Sequence, residues 1–334
     1  MQRQALTELG NQFGRDEVER IIKGTGIREV RIAPPEVCTS DLCEAAARKL
    51  LDDLAVRAAE IDGLIFITQT PDWRIPPTSP ALQHRLGLGN DTAVFDINYG
   101  CSGFIYGLFQ AGLLIQTGAC KRVLVCVGDT NSKIIHPDDK QVRMVFGDGA
   151  GAALVEHTDA ETDWPFVIGT DGSRGDALKI PAGGCRYPRS ETSHIVKEDD
   201  HGNRRSDETL FMDGMEIMNF SLREVPPAIE ALLSFRNWQK EDVGVYALHQ
   251  ANKFMIDYLR RKMKLPAEAV PLGIENVGNT GPASIPLLLT LEHERLAPAR
   301  DMSRVVMCGF GVGLSWAATA GDLSDTVFTD LVEL

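Results

Sequence analysis

The chain has 334 residues, 43% of them hydrophobic and 24% charged, with 34 Lys+Arg against 47 Asp+Glu and a formal net charge of −13. That profile excludes wholesale disorder and leaves length for one or two substantial cores. The acidic balance excludes a general nucleic-acid or anionic-membrane binder, because phosphates would repel it.

Met1–Gly10 (MQRQALTELG) has no apolar run with a cleavage site. The longest apolar stretch, Gly107–Ile115, contains Gln110 and is too short to cross a bilayer. The cysteines are Cys38, Cys43, Cys101, Cys120, Cys126, Cys185 and Cys308. Their odd number, with no CxxC pair and no HExxH, predicts a reduced, metal-free, cytoplasmic protein.

In chain order, the patterns predict a helix at Asp41–Glu60 and strands at Leu64–Thr68 and Thr92–Asp96. A helix at Ser102–Thr117 follows, apolar on nearly every face and therefore buried between sheets, with Gly118 as its stop. Strands at Arg122–Val127 and Ala152–Val155 come next, then a polar excursion at Ala182–Glu208 that is either a loop near a site or a solvated surface. The rest reads as helix Met218–Ser234, strand Val243–Leu248, helices Lys253–Met263 and Ala283–Leu296, and strand Arg304–Cys308. Such alternation predicts α/β layers around largely buried sheets. Lys121–Cys126 (KRVLVC) echoes Ser303–Cys308 (SRVVMC), and each leads through a Gly-rich turn into a small-residue strand. Two copies of one α/β unit, 1–160 and 161–334, would explain the echo, and so would the general likeness of buried strands.

Asn98–Gly103 (NYGCSG) lies between a predicted strand and the buried helix. Cys101 therefore stands at a helix N-terminus, where free amides and the macrodipole favour a thiolate. His249 ends the strand-like VGVYALH, and Asn279 lies in the glycine-bracketed VGNTGP. Taken singly, that histidine reads as a satisfied structural residue and that asparagine as a turn residue. Gly309–Gly313 (GFGVG) is GxGxG, not GxGxxG, and too little chain follows for a dinucleotide-binding unit. A tight turn there aims a backbone N–H at an oxyanion. Phe146–Gly151 (FGDGAG) lacks the Lys-Ser/Thr of a P-loop and reads as a structural turn.

Together, Gly24–Glu29, Asn98–Gly103, Phe146–Ala152, His249–Asn252, Gly278–Pro286 and Gly309–Trp316 resemble, in order, the β-ketoacyl-acyl-carrier-protein synthase III family of thiolase-fold condensing enzymes. The resemblance implies a five-layered αβαβα fold of two similar halves. It makes Cys101 the acyl-accepting nucleophile, His249 and Asn279 its partners, and the backbone N–H groups of Cys101 and Val312 the oxyanion hole. The implied reaction is ping-pong: an acyl group loads onto Cys101, then a malonyl thioester loses CO₂ and condenses with it. Acyl-CoA or acyl-carrier protein would be substrates, with no resident cofactor. Ile75 and Phe310 would line the acyl pocket, Ile75 by reaching across a homodimer. Lys140, Asn252, Lys253, Arg260 and Arg261 would meet coenzyme A or an acyl carrier protein, whose acidity complements a basic helix face. An acyltransferase to an O, N or S nucleophile and a noncatalytic partner subunit are the alternatives.

Two departures accompany the resemblance. Relatives carry a first strand ahead of the equivalent of Met1, so this chain is expected to begin in the following loop and helix. The tail Asp322–Leu334 runs beyond their usual end and contains a strand-like VFTDLV.

Overall fold

Strands buried on both faces need apolar residues at every position, and the chain supplies two such sets. The computed structural model describes residues 1–160, 163–296 and 300–334. It opens with β1 (Gln2–Ala5), followed by α1 (Gly10–Phe13), α2 (Arg15–Thr25) and β2 (Glu29–Ile32), which pairs antiparallel with β1. Next come α3 (Thr39–Asp53), β3 (Gly63–Ile67), α4 (Ser79–Leu86), β4 (Ala93–Ile97), α5 (Gly103–Gln116), β5 (Arg122–Asp129), α6 (Lys140–Arg143) and β6 (Gly149–Glu156). Hydrogen bonds order the first large sheet β4-β3-β5-β6, with β6 antiparallel to β5.

The chain continues through β7 (Phe166–Thr170), then β8 (Leu178–Lys179), β9 (Lys197–Glu198), β10 (Arg204–Arg205) and β11 (Phe211–Met212), four strands that form two small ladders. After α7 (Gly214–Arg236), β12 (Val245–Leu248), α8 (Lys253–Met263) and α9 (Ser284–Leu296), it closes with β13 (Val305–Gly311) and β14 (Ser315–Gly321). The second large sheet is ordered β12-β13-β14-β7.

The layers follow from alternation along the strands. Ile65, Ile67, Val125 and Val127 face one core, whereas Leu64, Phe66, Leu124 and Cys126 face another. In β13, Val305 and Met307 join the first of these cores, while Val306, Cys308 and Phe310 join a third. Helices α5 and α9 lie between the sheets, α3 and α4 cover the outer face of the first, and α7 with α8 cover the second. Burying each large aliphatic side chain stabilises this stack by about 1.5–3 kcal/mol. Gly107 lets α5 approach closely, since a Cβ there would stand 2.5 Å from Ile67 Cδ1.

Several expectations are corrected. The first long helix ends at Asp53 rather than Glu60, because Ala55 turns to φ 54° and the Val56 N–H closes back on the Leu51 carbonyl. Strand β7 was not expected, since Gly169 breaks its alternation; that glycine makes room for the Trp316 ring. Residues Gln2–Ala5 form a strand where loop and helix were expected, paired to the otherwise open edge of β2. The tail 322–334 holds no strand. It is anchored by the Leu323 N–H, which donates to the Met302 carbonyl at 2.8 Å, by Phe328 stacked on His293, and by Glu333 paired to Arg3 and Arg31. The polar excursion is not plain loop: β9 and β10 pair within it, and Arg205 binds the buried Asp139 at 2.6 Å.

Candidate active site

Cys101 stands between β4 and the first turn of α5, where the Gly103 N–H bonds the Gly100 carbonyl at 2.7 Å. Position 100 is glycine because a Cβ would lie 2.5 Å from both Gln69 Oε1 and Val312 Cγ1. The cysteine is 7% exposed. Burial pushes its thiol up to about 12, the nearby Asp129 charge adds to that, and hydrogen bonds from the Cys101 and Val312 N–H groups pull it down. The sequence pointed to a lowered value; desolvation outweighs the helix terminus in the resting site. The same two amides that reach the sulfur are the predicted oxyanion donors.

Strand β13 serves both sides of the site. A Cβ on Gly309 would lie 2.6 Å from the Cys101 carbonyl, and one on Gly311 would lie 3.0 Å from Cys101 Sγ. Between them Phe310 points the other way and sets its ring edge-to-face on His249, with centroids 5.5 Å apart. The His249 N–H donates to the Cys308 carbonyl at 2.8 Å, continuing the parallel β12–β13 ladder. His249 Nδ1 lies 2.6 Å from Ser284 Oγ, which also accepts the Gln250 N–H at 3.4 Å. While accepting that N–H the hydroxyl can give its own hydrogen to Nδ1, the arrangement in which the imidazole proton sits on Nε2. Burial lowers this histidine to about 3, so it is neutral at physiological pH.

Asn279 is clamped by the FGDG turn. Its N–H donates to the Val145 carbonyl at 2.8 Å, and its carbonyl accepts the Gly147 N–H at 3.0 Å. Gly278 takes φ 73°, and the Gly281 N–H binds Asn279 Oδ1 at 3.0 Å, leaving the amide NH₂ for a ligand. Ser284 opens α9 just beyond this turn, and Pro282 lies 3.4 Å from where a Gly103 Cβ would be. Cys101, His249 and Asn279 are thus gathered around the starts of α5 and α9 and the end of β13. Sequence reasoning missed Ser284, the clamp from residues 145–147, and Asp129, which sits 2% exposed at the end of β5. No spacing signal links 146 to 279; the Gly-Asp-Gly turn was the available hint.

The other predicted residues lie apart from this cluster or around its rim. Val312 is half-buried beside Gly100, and Phe310 is spent on the imidazole. Ile75 is 88% exposed on the β3–α4 connection. Lys140 opens α6 at 3.9 Å from Glu17. Asn252 caps α8, accepting the Met255 N–H at 2.8 Å. Lys253 pairs with Asp257, Arg260 stands 4.0 Å from it, and Arg261 binds its carbonyl. Ile256, Leu259 and Met263 form the buried face of that helix. Among the described residues no His, Cys, Asp and Glu cluster could hold a metal, and no helix is long and apolar enough to cross a membrane.

Comparison with known proteins agrees with this geometry. Residues 95–172 match the family model for 3-oxoacyl-[acyl-carrier-protein (ACP)] synthase III, and residues 233–322 match the model of its C-terminal part. The β-ketoacyl-[acyl-carrier-protein] synthase III of Caldanaerobacter subterraneus is 36% identical over 304 residues, 90% of this chain and 88% of that one. A 3-oxoacyl-(acyl-carrier protein) synthase from Burkholderia xenovorans superposes with a TM-score of 0.91 at 38% identity, covering 100% of this chain and 93% of the other. A 3-oxoacyl-(acyl-carrier-protein) synthase III solved at 2.1 Å gives 0.92 at 43% identity, covering 96% of each. The chain therefore belongs to the 3-oxoacyl-[acyl-carrier-protein] synthase III family, condensing acyltransferases of the thiolase fold.

Proposed function

We propose that Cys101 accepts an acyl group from acyl-CoA or an acyl carrier protein and passes it to the carbanion of a malonyl thioester. In the first half-reaction the sulfur attacks the donor carbonyl, the Cys101 and Val312 N–H groups hold the oxyanion, and the donor thiol leaves with the cysteine's proton. In the second, the malonyl carboxylate leaves as CO₂ and its bonding pair enters the thioester as an enolate. Two neutral donors, His249 Nε2–H and the Asn279 NH₂, stabilise that charge, where a carboxylate would repel it. The enolate carbon then bonds to the acyl carbon, the Cys101 sulfur leaves, and a β-ketoacyl thioester is released. The observation that carries this is the fixed Asn279 amide, its Oδ1 held by Gly281 and its NH₂ left over.

The remaining features support a wider reading. Both half-reactions run on side chains and substrates alone, without a resident cofactor. Strand β4 ends its sheet with Phe95 40% exposed, and Ile75 stands out nearby, an apolar edge suited to a second copy of the chain. Through that contact Ile75 would reach the partner's acyl pocket. The basic side of α8, with Arg260 and Arg261, suits an acidic carrier. Seven unpaired cysteines suit the reducing cytoplasm. The halves 1–160 and 161–334 each contribute one large sheet, the first with the nucleophile and the second with its two partners. Residues 161 and 162, at that boundary, lie outside the described residues.

Asn279→Asp separates the half-reactions. Acyl loading of Cys101, read by intact mass, should persist, while CO₂ release from malonyl-carrier protein falls about 10²–10³-fold. Undiminished CO₂ release, or an adduct on another residue, would overturn the assignment.

A further inference from the structure

We propose that Asp129 is a positioning residue of the condensing site: its carboxylate braces the turns that carry Cys101 and Asn279, and its charge restrains the Cys101 thiol. This rests on Cys101 being the nucleophile. One oxygen, Oδ1, accepts from the Gln69 N–H at 2.7 Å, the Thr68 hydroxyl at 2.9 Å and the Thr70 hydroxyl at 3.4 Å. Thr70 is itself tied to the Thr130 N–H at 2.9 Å and Thr39 at 2.7 Å, so the 68–70 loop has no slack. That loop presents the Gln69 side chain to Gly100, the residue before the nucleophile.

The other oxygen faces the asparagine turn. A Cβ on Gly281 would lie 2.8 Å from Asp129 Oδ2, and the Gly281 N–H is the group that orients the Asn279 amide. One buried carboxylate therefore touches the supports of both the sulfur and the enolate donor. Its hydrogen-bond donors are all neutral, which leaves an ionised Asp129 to repel a second negative charge nearby. Cys101 ahead of α5 and Cys43 on α3 lie within reach of its charge: their thiols, raised first by burial, are raised further by Asp129. Burial lifts Asp129 to about 7, so its charge changes around neutral pH.

The test reads the thiol directly. Alkylation of Cys101 by iodoacetamide is followed against pH by peptide mass mapping, in a Cys185→Ser background that removes the exposed thiol. As Asp129 ionises, the thiol becomes harder to deprotonate, so the rate should show a shoulder near neutral pH instead of a steady tenfold rise per unit. Asp129→Asn keeps an acceptor for the loop but no charge; it should abolish the shoulder and speed alkylation about twofold at pH 7 and about tenfold above about pH 8, where wild-type Asp129 is ionised, one unit of thiol acidity. Asp129→Ala should in addition lower kcat for condensation about 10–100-fold with KM for the acyl donor unchanged. A wild-type profile without a shoulder overturns the proposal, and needs no variant to fold. So does Asp129→Asn with the wild-type profile, or Asp129→Ala with wild-type kcat. Acyl loading of wild-type Cys101 is measured alongside; its failure would sink the functional reading without touching the alkylation result.

Discussion

Gly311→Ala would push directly on the Cys101 sulfur. The added Cβ would stand 3.0 Å from Cys101 Sγ and 2.9 Å from its Cβ, against an optimal separation of about 3.5–4.0 Å for carbon atoms. Either the sulfur withdraws by ~0.5–1 Å or β13 bows away from α5. Overpacking of this kind costs about 1–3 kcal/mol of stability. Misplacing an attacking atom by about 1 Å costs about 10²-fold in rate. The assay is single-turnover acyl loading read by intact mass, with thermal unfolding in parallel. Loading should slow about 10²-fold while Tm falls by a few degrees. Gly112→Ala is the control: no heavy atom lies within 4 Å of the new methyl on α5, so loading is unchanged and the helix gains about 0.5–1 kcal/mol. Loading at the wild-type rate in Gly311→Ala would refute the idea that this strand seats the sulfur.

Ser284→Ala frees the His249 tautomer and should slow malonyl decarboxylation about 10–100-fold with acyl loading kept; equal loss of both steps would count against the tautomer assignment. Two buried groups set opposing pH dependences of stability. His249, lowered from 6.5 to about 3, contributes stability present above pH 6.5 and lost on acidification toward 3. Asp129, raised from 3.8 to about 7, works oppositely: its contribution is complete below 3.8 and is lost as pH rises through 7. Each spans about 4–5 kcal/mol at 1.36 kcal/mol per unit, so between about pH 4 and 6.5 they nearly cancel. Urea midpoints should show His249→Asn gaining stability on acidification and Asp129→Asn losing it more steeply than wild type; parallel curves would contradict the assignment. Reversing Arg260 and Arg261 to Glu should raise the apparent KM for carrier-bound substrate and leave loading from acyl-CoA unchanged; an unaltered KM removes the docking face.

Much of the sheet framework was legible because strands buried on both faces must be apolar throughout, as in Leu64–Ile67 and Val123–Val127. What escaped were elements whose partners lie far along the chain. Strand β7 hides behind Gly169, a residue chosen by Trp316 across the sheet. The tail looked like a strand from its own composition, yet no ladder partner is offered to it. At the proposed site, the motifs around Cys101, His249 and Asn279 marked those three positions as candidates. Their supports were not, because Ser284, Val145–Gly147 and Asp129 act through contacts that no local spacing encodes. The thiol's acidity was misjudged for a related reason: a helix start is visible in sequence, but the depth at which it is buried is not.

Successive residues of β13 look into different compartments: a hydrogen atom at 309 toward the Cys101 carbonyl, one at 311 toward its sulfur, and a phenyl ring at 310 toward the imidazole. Losing or gaining one residue inside the strand would swap these, driving an aromatic ring onto Cys101 and leaving His249 unsupported. The strand thus acts as a ruler with a single valid setting. Insertions and deletions should therefore be tolerated only in the turns at its two ends, and a chimera joined out of register within it would fold around a blocked Cys101.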